Sequence, residues 1–204
     1  MELNEALSQI TEIRQRMAGA QVFRGYRAVT TAFSALLAIG AAVGQSVWIP
    51  QPAEHLGAYI ALWVSAAVLS SIVVGAEIIL RHWRMASPMR RDITILAIEQ
   101  FIPSVVAGGL LTFVLWRSPQ TLWILPGLWA ILFGLGILAS GRLLPRGVSW
   151  VGAFYLAAGM VCLAVAKDAD AFSPWAMGVT FGVGQFLAAG ALYWTLERKH
   201  ATQA

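Results

Sequence analysis

The apolar residues of this chain fall into long, nearly unbroken runs separated by short polar segments, at about Arg27–Trp48, Gly57–Leu80, Ile93–Trp116, Leu122–Leu144, Ser149–Ala166 and Pro174–Leu196. About 20 residues of α-helix are needed to cross about 30 Å of hydrocarbon, so each run is a candidate span. The pattern predicts an all-α fold, a polytopic membrane protein built as a bundle of about six transmembrane helices over residues 27–196. The joining loops are too short to hold an extramembrane domain.

Ahead of the first run the pattern changes period. Leu3, Ala6, Leu7, Ile10, Ile13 and Met17 recur at three- and four-residue spacing, while Glu2, Glu5, Gln9, Glu12 and Arg16 take the other side. That alternation predicts an amphipathic cytoplasmic helix over residues 1–26, with Glu12 and Arg16 in the favourable i,i+4 order. Its apolar stripe (Leu3, Leu7, Ile10, Ile13, Met17) calls either for the membrane surface or for a protein partner. Residues 197–204 form a short tail.

Composition agrees: 58% of the 204 residues are hydrophobic and 12% charged, too few polar side chains to coat a soluble domain. The cations then orient the bundle. Arg14, Arg16, Arg24, Arg27, Arg81, Arg84, Arg90, Arg91, Arg142, Arg146, Arg198 and Lys199 fall on one side, whereas Arg117 and Lys167 fall on the other. Because cytoplasmic loops retain cations, this split expects both termini in the cytoplasm, in a plasma or inner membrane. Tryptophan follows the same boundaries, with Trp48, Trp116, Trp123 and Trp175 at outer ends and Trp83, Trp150 and Trp194 at inner ends, where indole sits at headgroup level. Trp63 and Trp129 lie deeper, as packing residues.

Cations that flank spans pair with anionic lipid headgroups; they lack the interleaved aromatics and glycines of a nucleic-acid module, so no nucleic acid is expected. The single cysteine, Cys162, excludes an intrachain disulfide, and no zinc site is supported. The charged N-terminus is unlike a cleaved signal peptide. His55, His82 and His200 fall in loops or the tail, which argues against haem ligation between spans and against serine or metal proteolysis within the membrane. No cofactor and no metal are expected.

Small residues at four-residue spacing, Gly40-x-x-x-Gly44 and Gly178-x-x-x-Gly182, allow close helix packing, and a homo-oligomer is allowed as well. A faint repeat joins them. Pro126 and Pro174 each precede a Phe-Gly-x-Gly by the same offset, Phe133–Gly136 and Phe181–Gly184, as a duplicated hairpin would leave behind.

The candidate ligand- or ion-binding residues are the polar groups within the spans: Glu77, Glu99, Gln100, Arg142 and Gln185. Pro103 cannot donate to the carbonyl of Glu99, so Glu99 brings a freed carbonyl beside its carboxyl; this either builds an ion or proton site or bends the helix. Glu77 has Arg81 at i+4, and Arg142 pairs with Glu99 or Glu77 across helices or snorkels to the inner interface. Ser140, between small residues and without a base, reads as packing.

Three functions fit this inventory. The leading one is a non-catalytic membrane subunit, regulator or scaffold engaging a cytoplasmic partner. The alternative is a small-solute or proton/cation transporter or channel using the Glu99-Gln100-Pro103 region, and the third is a lipid-acting intramembrane enzyme.

Overall fold

The computed structural model describes residues 28–84, 88–144 and 146–197; the amphipathic segment 1–26 and the tail beyond 197 lie outside the described residues. Within them the chain is all-α: α1 Ala28–Trp48, α2 Leu56–Arg84, α3 Pro88–Trp116, α4 Leu125–Ala139, α5 Arg146–Val165 and α6 Pro174–Leu192. Six helical stretches among the described residues are long and apolar enough to cross a membrane, starting and ending within a few residues of the expected spans. The chain is therefore a polytopic membrane protein.

The fourth span is built differently from the rest. Its α-helical part ends at Ala139 rather than at Leu144, and it begins as a 3₁₀ turn, Pro119–Ile124. Fifteen α-helical residues would cover only ~22 Å, and six residues at the 3₁₀ rise add ~12 Å, restoring the membrane thickness. Prolines set the change of pitch, since Pro119 opens the 3₁₀ turn and Pro126 opens α4, each placed where a missing N–H does no harm. Pro103, by contrast, sits inside α3, which stays helical on both sides of it.

The helices form a ring in chain order, closed by α6 against α1. The α1–α6 and α4–α5 seams are the most extensive, whereas α2 and α3 are the most exposed of the six and meet thinly, Gly57 lying against Trp116 at one end. Two apolar clusters fill the ring. One, near the end carrying Ala28 and Leu192, contains Ile78, Ala97, Ile137, Val148, Tyr155 and Leu192; the other, near the far end, contains Ala42, Tyr59, Trp63, Leu125, Phe172 and Met177. Phe181 touches both, and with Phe101, Phe133 and Tyr155 it forms an aromatic wedge at ring-centroid separations of 4.9–5.7 Å. Edge-to-face pairs of this kind contribute about 0.5–1.5 kcal/mol each beyond the area they bury.

Lipid supplies no hydrophobic drive between helices, so the seams rely on close backbone approach. A Cβ on Gly127 would lie 2.9 Å from the carbonyl oxygen of Gly159, and one on Gly159 would lie 2.7 Å from that of Gly127; Gly134 and Gly152 oppose each other in the same reciprocal way one heptad further along. On the α1–α6 seam Gly178 and Gly182 meet Ala42 and Ile39. The Gly40-x-x-x-Gly44 expectation fails within the protomer: a Cβ on Gly40 would meet nothing, and one on Gly44 would meet only its own helix's Trp48, because this stripe lies on the outward face of α1.

The two Phe-Gly-x-Gly segments occupy equivalent places. Gly134 contacts the next helix around the ring, α5, and Gly182 contacts α1, which follows α6 around the ring; Gly136 abuts the Phe101 ring of the preceding helix, and Gly184 abuts the Tyr155 ring of its own. Trp48, Trp116 and Trp175 are exposed at the far end and Trp150 and Trp194 at the other, so the tryptophans ring the bundle at two levels.

Candidate functional site

Polar side chains in the described bundle concentrate on one seam. On α2, Trp63, Ser70 and Glu77 are spaced by seven, which places them on a single stripe of the helix. Thr30, Ser34 and Gln45 share the facing stripe of α1. The rungs pair antiparallel: the Thr30 hydroxyl donates to the Glu77 carboxylate, the Ser70 hydroxyl donates to Ser34 Oγ at 2.6 Å, and Trp63 Nε1 donates to Gln45 Oε1 at 2.7 Å. Bonds of this kind average about 0.6 kcal/mol in membranes. Here they hold α2, which has little packing to rely on.

Gln45 is the hub of the far half. Its side chain is 0% exposed, and while its oxygen takes the Trp63 indole proton, its Nε2 donates to the Phe172 carbonyl at 2.7 Å. Both ends of the amide are thus used, which is what burial of a polar group demands. The consequence is structural: Gln45 pins the 3₁₀ turn Asp168–Phe172 into the mouth of the ring, where the Phe172 ring stands edge-on to Tyr59 with centroids 5.1 Å apart. Beneath Phe172 lie Tyr59, whose buried hydroxyl has no protein hydrogen-bond partner, and the pair Cys162 and Thr180, whose Sγ and Oγ1 are 3.9 Å apart.

The expected site residues are not brought together. Glu99 is exposed on the outward face of α3, among Ile95, Ile98 and Ile102, while its neighbour Gln100 turns inward and holds a buried Oε1 without a protein partner. Pro103 therefore separates an outward carboxylate from the bundle rather than aiming it inward. Glu77 binds Thr30; the side chains of Arg81 and Arg142, its expected partner and the expected partner of Glu99, lie outside what the structure describes. Gln185 is half-buried on α6, and the Tyr155 hydroxyl donates to the Phe181 carbonyl at 3.4 Å. Ser140 donates to the Ala97 carbonyl at 3.3 Å and fastens α4 to α3, as a packing serine does. Trp129 is half-buried against the far-end cluster and donates to Thr112 Oγ1 at 2.9 Å. Among the described residues no group of three or more His, Cys, Asp or Glu side chains is placed to hold a metal. The partner stripe Leu3, Leu7, Ile10, Ile13 and Met17 lies outside the described residues.

The sequence pattern did not single out Gln45, Thr30, Ser34, Ser70 and Tyr59. The heptad spacing of Trp63, Ser70 and Glu77 was the available signal, and Gln45 was legible as an amide inside an apolar run. Comparison of the chain with family models, curated proteins and solved structures finds no match.

Proposed function

We propose that this protein is a non-catalytic membrane subunit, regulator or scaffold that presents its N-terminal amphipathic segment and cation-rich connections to a protein partner at the cytoplasmic face of a plasma or inner membrane. The observation that carries the reading is how the bundle interior is occupied: the aromatic wedge of Phe101, Phe133, Tyr155 and Phe181 fills its middle, and Thr30, Ser34, Gln45, Ser70 and Glu77 are engaged in bonds to other side chains. Residues that hold helices together in this way leave function to the surfaces, of which the amphipathic segment is the one with an apolar stripe and a charged back.

The test replaces Leu7 and Ile10 with Glu in the full-length protein. The variant should insert in the membrane with wild-type melting behaviour and lose the cytosolic protein that gentle solubilisation retains on the wild type. Equal recovery from both would refute the reading. One observation favours transport instead, the inward Gln100 with its unpartnered oxygen one turn before Pro103. Proton or cation flux in reconstituted vesicles that Gln100→Leu abolishes would replace the subunit reading with that one.

A further inference from the structure

We propose that the Tyr59 hydroxyl, the Cys162 thiol and the Thr180 hydroxyl form a buried site for a single water molecule, which ties α2 across the ring to α5 and α6. Tyr59 is 0% exposed, yet its hydroxyl has no protein hydrogen-bond partner. A buried hydroxyl left in that condition is costly, and internal waters characteristically serve such groups with about three hydrogen bonds each. The other two bonds are at hand. Thr180 follows Met177 by one helical turn on the same buried face of α6, and Met177 packs in the cluster that contains Tyr59. Cys162 lies within electrostatic reach of Tyr59 and faces Thr180 at 3.9 Å, a separation at which a thiol and a hydroxyl satisfy each other poorly and keep capacity for a third molecule.

The surroundings select an uncharged ligand. Ala42, Leu122, Leu125 and Met177 wall the cluster, and apolar walls of this kind disfavour an ion. Phe172 roofs it and is itself held by Gln45. The site thus links the far-end turn to the helices beneath it.

The experiment measures melting of the full-length protein in detergent for Tyr59→Phe, Thr180→Val and the double variant, together with the S–H stretching band of Cys162, the chain's single thiol. Each single substitution should lower the melting temperature by a few degrees, the double should be little worse than the worse single, and the S–H band should shift in both singles. Tyr59→Phe that melts at or above the wild-type temperature overturns the proposal, as do additive losses with an unmoved band. If Tyr59→Phe fails to fold, Cys162→Ser decides. Serine hydrogen-bonds water well, so a wild-type melting temperature supports the site, whereas a marked loss shows dry surroundings and refutes it.

Discussion

Replacing Gly159 with alanine probes the seam that holds α4 to α5. The new Cβ would lie 2.7 Å from the Gly127 carbonyl oxygen and 3.0 Å from the Ile131 amide nitrogen, both backbone atoms that cannot swing aside. Ordinary contact begins near 3.4 Å, so the two helices must part by about 0.7 Å, and Gly127, Gly134 and Gly152 lose contact with their partners as they do. Overpacking of this kind costs about 1–3 kcal/mol, and alanine returns about 1 kcal/mol through its better helix propensity. A net loss of up to about 2 kcal/mol is expected, or a melting temperature lower by up to roughly 8 °C for a chain of this size. Cys162 on α5 is part-buried and is the chain's single thiol, so its reaction with a maleimide dye during heating reports unfolding without further engineering. Gly40→Ala is the matched control, because a Cβ there meets nothing within 4 Å and only the propensity gain applies. If Gly159→Ala melts with or above the wild type, or if Gly40→Ala is the more damaging of the two, the reciprocal glycine contacts are not what joins the helices.

Gln45→Leu strips partners from the Trp63 indole and the Phe172 carbonyl together, so a loss of about 1–3 kcal/mol is expected, and accelerated proteolysis of the 166–173 connection would accompany it. Unchanged stability and cleavage would contradict the pinning role. Glu99→Gln should alter melting by less than about 0.5 kcal/mol, since an exposed side chain loses no buried partner; a large drop in differential scanning fluorimetry would show that Glu99 is paired after all. In a Cys162→Ala background, cysteines at Gln51 and Ala169 should react with an impermeant thiol reagent on intact cells while those at Ser8, Ser87 and Thr202 stay unlabelled, and outside labelling of Ser87 would overturn the expected orientation.

The number and extent of the spans were determined by sequence alone, because the length of an apolar run is measured against a fixed hydrocarbon thickness and every backbone polar group in lipid must bond within its own helix. Even there, the pitch change in the fourth span needed coordinates, since Pro119 and Pro126 mark where a helix starts but not how tightly the segment between them winds. Facing was decided by tertiary structure. A run apolar all round carries almost no amphipathic signal to say which side meets protein, so Glu99 and Gln100, adjacent in sequence, could not be told apart until α3 was set in the ring with one turned out and the other in. For the same reason Gly40 and Gly178, alike as motifs, separated into an outward stripe and a packed seam. The Gln45 hub is the extreme case: its partners lie 18 and 127 residues away, and only the closure of α6 onto α1 brings the Phe172 carbonyl to an amide that the chain shows merely as one polar letter in an apolar run.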